Sequence, residues 1–283
     1  MKKRSRVQGP REISGSLVGI DGARGTLDGF LTRGPGRRRI LTVFVPGMGS
    51  NFHSGRLKKE LLRRAPSAGF DCLSVNNSGF GTRTAREKFR WCLADLDGVV
   101  AFARRRKYKG VVLMGHSTGC QKVTYYQAVR RSSCVRALVL AAPVDDYAAV
   151  KKELGRRFSS TVRFARRLAD RGDESTLLPA QAPRFTARRF LSFADASQIE
   201  ARIFNYKGPM RHFGRVSCPV LALVAGEEEY ACIPAEQTCR ILRDRSRTGV
   251  FDCKIIKGAD HGFHGREGRT AGMIYRWLKE RDL

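Results

Sequence analysis

The run Gly110–Met114 (GVVLM) passes without a spacer into Gly115-His116-Ser117-Thr118-Gly119, and the amphipathic stretch Gln121–Arg130 follows. No other feature of the chain constrains its fold as tightly. A short run rich in Val and Leu reads as a buried strand. A G-x-S-x-G segment between such a strand and a helix is a sharp strand–turn–helix connection. The two glycines keep the crowded turn clear, and Ser117 stands above the sheet. The helix N-terminus behind it favours developing negative charge. A turn of this kind belongs to the middle of a sheet, so the rest of the chain must supply neighbouring strands.

It does so by alternation. Ile40–Val45 (ILTVFV), Phe70–Val75 (FDCLSV), Ala137–Ala142 (ALVLAA), Val220–Val224 (VLALV) and Phe251–Ile256 are further strand candidates. Leu57–Arg64, Phe89–Arg104 and Thr270–Lys279 carry helical spacing; in the second, Phe89, Leu93, Leu96, Val99, Val100 and Phe102 fall on or near one face. Strands alternating with helices predict right-handed crossovers and a mostly parallel, doubly wound sheet. Residues 1–39 are expected to add a short antiparallel hairpin, punctuated at Asp21-Gly22, Asp28-Gly29 and Arg37–Arg39. From Tyr147 to Met210 no strand pattern appears. Apolar residues there, among them Leu154, Phe158, Phe164, Leu168, Phe190, Leu191 and Phe193, are dispersed at helical spacing. The expected organisation is a core of residues 1–146 and 211–283 with a helical cap at 147–210; an irregular surface excursion is the alternative.

Composition narrows the function classes. With 283 residues the chain can bury a large core unaided. Its 54 lysines and arginines against 26 acidic residues give a net charge of +28, which points to nucleic acid, an anionic membrane or an anionic substrate. No nucleic-acid motif appears and the basic residues are spread along the chain. Specific nucleic-acid binding is therefore not expected, and the basic 147–210 segment suggests arginines around an anionic ester. The basic N-terminus is not followed by an apolar run, and no stretch is long and apolar enough to cross a membrane; a cytoplasmic protein is expected. Eight cysteines are scattered without a C-x-x-C pair. They read as free thiols acting as small hydrophobes, with neither zinc-site spacing nor a disulfide framework.

A serine nucleophile needs a base, an acid to orient it and donors for the oxyanion. With an elbow of this kind the acid and the histidine follow the serine in that order. His261, in Gly258-Ala259-Asp260-His261-Gly262-Phe263 just after the last strand run, is the expected base. His264 and His212 are the other downstream candidates. The acid is expected after VLALV, where Glu227, Glu228 and Glu229 stand together; spacing does not choose among them, and Asp145 and Asp146 one strand earlier are the runner-up. For the oxyanion, Thr118 supplies one backbone N–H. The loop after ILTVFV, Pro46-Gly47-Met48-Gly49-Ser50-Asn51-Phe52, supplies the other, from Met48.

These stretches, together with LSVNNSGFG (73–81), MGHSTGCQKVTYY (114–126), APVDDY (142–147), TARRFLSF (186–193), GEEEY (226–230) and GADHGF (258–263), resemble the α/β-hydrolase superfamily over nearly the whole chain. More narrowly they are similar to a little-characterised branch that includes fungal fusarinine-type siderophore esterases. In that branch the first loop more often opens with His-Gly, where this chain has Pro46, and the acid position usually reads Gly-x-Asp-Glu-Tyr. Aligned on the tyrosine, Glu228 falls on the aspartate. The resemblance implies an α/β-hydrolase fold and hydrolysis of a small-molecule ester or related acyl bond by Ser117, His261 and Glu228, with no metal or organic cofactor. A non-catalytic binding protein on the same fold, or a basic nucleic-acid-binding protein, is the alternative.

Overall fold

The computed structural model describes residues 12–36, 39–179 and 184–283. The basic N-terminus and Arg37-Arg38 lie outside the described residues. Eight strands form one sheet in the order β1-β2-β4-β3-β5-β6-β7-β8. They are β1 (Ser16–Gly22), β2 (Gly25–Thr32), β3 (Ile40–Val45), β4 (Asp71–Val75), β5 (Gly110–His116), β6 (Val135–Ala141), β7 (Val220–Ala225) and β8 (Phe251–Ile256). From β4 to β8 all neighbours are parallel; β1 and β2 form an antiparallel hairpin that joins β4 at one edge. This is the mostly parallel, doubly wound sheet that the strand–helix alternation predicts, and the α/β-hydrolase arrangement that the resemblance implies.

The sheet has a core on each face because side chains alternate along every strand. Val43, Val111, Leu113, Leu138 and Leu140 point to one face, where they meet Val99 of α2 (Trp91–Arg105), Val123 of α3 (Thr118–Arg130) and Leu242 of α8 (Ala235–Arg245). Phe44, Val112, Met114, Ala137 and Val139 point to the other, against Leu57 and Leu61 of α1 (Arg56–Ala68) and Ile274 of α9 (Glu267–Lys279). Continuous apolar runs are what burial on both faces demands.

Between β6 and β7 the chain forms α4 (Asp146–Leu154), α5 (Phe158–Asp170), α6 (Ala187–Ala194) and α7 (Ile199–Ile203). Leu154, Phe158, Val162, Phe190 and Phe193 build a third apolar cluster, and Met48 of the loop after β3 packs against it. Charged side chains tie these helices down. Arg189 of α6 is fully buried and pairs with Glu200 of α7 and with Glu87. Glu87 also accepts from Lys122 of α3 at 2.5 Å. Burial pushes the Glu87 carboxyl up, but Lys122 and Arg189 outweigh it and hold it below its ordinary range.

Three details differ from the sequence reading. Asp28-Gly29 is no turn: both residues lie inside β2. A Cβ on Gly29 would sit 3.0 Å from Leu73 Cδ1 and the Ser74 carbonyl, so the glycine serves close strand packing. α3 starts at Thr118, three residues early, because the serine turn feeds directly into the helix. Cys239 and Cys253 are disulfide-bonded, where free thiols were expected. Packing of α8 on β8 brings their Cα atoms to 5.7 Å, a proximity that scattered spacing does not reveal. Among the described residues no helix is long and apolar enough to cross a membrane.

Candidate active site

Ser117 stands between β5 and α3 with φ 56° and ψ −130°. A non-glycine residue there is strained, by roughly 1–3 kcal/mol in general. The turn survives because its surroundings leave no alternative. A Cβ on Gly115 would lie 2.4 Å from the Gly119 carbonyl, and one on Gly119 would lie 2.3 Å from the Val45 carbonyl. The Ser117 N–H is fixed to the Ala141 carbonyl at 3.0 Å.

The loop after β3 rises beside it. Ser50 N–H donates to the Gly47 carbonyl at 3.3 Å, closing a tight turn that contains Met48. Thr118 opens α3, where first-turn N–H groups have no helical partner. Met48, Thr118, Ser117 and His261 all line one cavity of about 480 Å³. Its upper wall is apolar: Val150 and Leu154 from α4, Phe185, and Phe193 from α6.

His261 reaches this cavity from the loop after β8. Both Glu228 oxygens lie 2.9 Å from its Nδ1, leaving Nε2 as the nitrogen free to take a proton. The Glu228 side chain is 8% exposed. Glu229 accepts the backbone N–H of His261 at 2.9 Å, and Glu227 is exposed. Among the described residues no hydrogen bond joins Ser117 Oγ to His261, a contact that commonly tightens only with substrate. His264 instead pairs with Asp260 at 2.7 Å with its side chain 58% exposed. His212 stacks edge-on against Tyr125 on another part of the surface. Asp145 caps α4 through the Ala148 N–H and accepts from Tyr206 N–H. Asp146 lines the cavity, where Gln121 donates to it at 2.7 Å. Burial, then Glu200, pushes the Asp146 carboxyl well above its ordinary range.

Two residues of the site carry no signal in sequence spacing. His116, the variable residue of the serine turn, donates from Nε2 to the His261 carbonyl at 2.8 Å. Burial, then the neighbouring His261, pushes His116 down to about 4. Tyr230 packs edge-on to the His261 ring with centroids 4.9 Å apart. The expected rim of arginines is not among the described lining residues. That lining has no arginine or lysine and includes Asp146 and Glu153. Three arginines of 147–210 are engaged in ion pairs elsewhere: Arg189 as above, Arg166 with Asp195 and Arg188 with Glu174.

A family model described as "Protein of unknown function (DUF1749)" matches residues 44–278. The chain belongs to the DUF1749 family. No curated protein matches this DUF1749 chain by sequence. Among solved structures it is similar to the siderophore hydrolase EstB from Aspergillus fumigatus, at 18% identity and a TM-score of 0.74, over 96% of this chain and 98% of that one. It is also similar to Est1E from Butyrivibrio proteoclasticus, at 16% identity and a TM-score of 0.68, over 94% and 98%. Alpha/beta hydrolase domain-containing protein 10 from mouse superposes at 18% identity with a TM-score of 0.65, over 94% and 99%. The shared feature is the α/β-hydrolase fold, spanned from end to end.

Proposed function

We propose that this DUF1749 protein is a serine hydrolase that cleaves a small-molecule ester or related acyl bond. One observation carries the reading. The His261 ring is held at Nδ1 by Glu228 while it lines the same cavity as Ser117, the strained serine of the strand–helix turn. The esterase and hydrolase names of the structural neighbours agree with it.

In the proposed reaction His261 Nε2 takes the hydroxyl proton of Ser117 as Oγ attacks the substrate carbonyl carbon. Glu228 keeps the proton on Nδ1 and stabilises the imidazolium. The carbonyl oxygen becomes an oxyanion received by the Met48 and Thr118 N–H groups; such donors are worth about 3–4 kcal/mol each. The imidazolium returns its proton to the leaving alcohol as the ester C–O bond breaks. Water, deprotonated by His261, then hydrolyses the Ser117 acyl ester. The groups the chemistry needs come from this chain, and no cofactor is part of the proposal.

Residues 147–210 act in this reading as a cap that gives the site its apolar wall. Val150, Leu154, Phe185 and Phe193 favour an apolar acyl or alcohol group. With Glu153 and no lysine or arginine in the described lining, a neutral ester fits better than an anionic one. A fluorophosphonate probe tests the proposal. It should label the chain once, and Ser117→Ala should abolish labelling; labelling that persists in the alanine variant overturns the assignment.

A further inference from the structure

The loop that carries Met48 is pinned at several points. Asn77 donates to the Pro46 carbonyl, Asn76 accepts the Phe52 N–H at 2.8 Å, and Ser74 donates to the Phe52 carbonyl at 2.8 Å. All these tethers are neutral. A further tether is charged: Lys58 of α1 donates from Nζ to the Asn51 carbonyl. Lys58 is 2% exposed, and its ammonium lies 5.2 Å from the Phe44 ring centroid. A carbonyl and an aromatic face are polar partners without a counter-charge; among the described residues no carboxylate reaches Nζ.

A lone buried ammonium is costly to a fold. A neutral side chain of similar length would fill the same space more cheaply. What only the cation provides is a charge-assisted bond to the loop that carries Met48. Its surroundings connect it to the chemistry. The Phe44 ring stacks on His116 with centroids 6.3 Å apart, and His116 Nε2 lies 2.8 Å from the His261 carbonyl.

We propose that Lys58 is a positioning residue of the hydrolytic site, its buried ammonium clamping the Asn51 carbonyl so that the Met48 N–H is held where the oxyanion forms. The proposal rests on the hydrolase reading above. The titratable groups near Lys58 are Lys59 on its own helix, His116 at the end of β5 and, beyond that, His264. Glu60 is occupied by Arg63 and Arg64. Burial, then Lys59, draws Lys58 down to about 7. The clamp therefore loses its charge as pH rises through neutrality, and turnover falls with it.

The test compares the full-length chain with Lys58→Met and Lys58→Arg. Stoichiometric fluorophosphonate labelling is measured first, then kcat and KM for a p-nitrophenyl ester from about pH 5 to 9, then Tm. Lys58→Met should lower kcat by about ten- to hundred-fold with little change in KM. It should lose the falling limb above pH 7 and melt no lower than wild type. Lys58→Arg should restore most of kcat and keep it at high pH. Wild-type kcat with an unchanged pH profile in Lys58→Met overturns the proposal. So does a lower Tm in Lys58→Met with a loss that arginine does not rescue, since that marks a packing role. A wild-type chain that the probe does not label overturns the hydrolase reading and this proposal together.

Discussion

Glu228 and Glu229 are adjacent, yet they hold different parts of one histidine. Glu228 takes the ring at Nδ1 and Glu229 takes the backbone N–H. Removing the first charge should disturb chemistry and removing the second should disturb the loop. Glu228→Gln is expected to lower kcat by about 10³–10⁴-fold, as loss of an orienting carboxylate can. Glu229→Gln and His264→Ala should each stay within about tenfold. Steady-state kinetics on folded variants would show the ranking, and a full-size loss in Glu229→Gln would shift the orienting role to that residue. Spacing marked the triplet Glu227–Glu229 but did not choose within it; the resemblance pointed to Glu228, the carboxylate that meets His261 Nδ1. The choice depends on how a short loop turns, and one-residue offsets there have no periodic signature. His116 adds a pH effect on stability. Its unfolded value is the ordinary 6.5 and its folded value about 4, so the unfolded chain binds the extra proton. Stability is full above about pH 6.5 and falls as pH drops toward 4. Urea midpoints across that range should fall less steeply in His116→Gln.

At the scale of elements, α6 is fastened by a charge that the sequence disguised. Arg188 and Arg189 are adjacent in sequence, but helical spacing sends Arg188 to Glu174 near the surface and Arg189 inward to Glu200 and Glu87. Breaking a buried pair strands its partner. Arg189→Ala should therefore destabilise the chain by about 3–5 kcal/mol, read from denaturant unfolding, whereas Arg188→Ala should cost under about 1 kcal/mol. Equal losses would mean that the buried network carries no special weight. The disulfide was hidden for a related reason: which residues of α8 and β8 face each other is a packing outcome. Its sequence separation is 14, for which loop closure predicts about 3 kcal/mol of stabilisation. Unfolding with and without a thiol reductant measures it. The strands and the serine turn, by contrast, were plain in the sequence, because burial on both faces forces continuous apolar runs.

For the molecule as a whole, a charge of +28 surrounds a cavity whose described lining is free of lysine and arginine. The two act on different steps. Long-range attraction should raise the encounter rate with anions and weaken with salt, while the lining governs turnover once substrate is bound. Matched neutral and anionic p-nitrophenyl esters separate these effects. kcat/KM for the anionic ester should fall as ionic strength rises, and kcat should be higher for the neutral ester at every salt. A higher kcat for the anionic ester would show that cationic side chains reach the bound substrate. Net charge was legible from composition, but its distribution was not, because partners such as Asp195 and Glu200 are distant from the arginines they neutralise until the helices pack.

The close approach of β3 and β5 also decides where the molecule can move. A Cβ on Gly47 would meet Ser117 Cβ at 2.8 Å, and one on Gly119 would meet the Val45 carbonyl at 2.3 Å. Backbones in such contact cannot part without the sheet coming apart. The floor of the cavity is thus rigid, and breathing falls to α4–α6, whose apolar cluster is separate from the two sheet cores, whereas Ile203 of α7 belongs to a sheet core. In hydrogen-exchange terms, amides of β3 and β5 should open only with global unfolding, and those of α4–α6 should open at lower free energy. Turnover limited by that opening would track solvent viscosity, not leaving-group pKa.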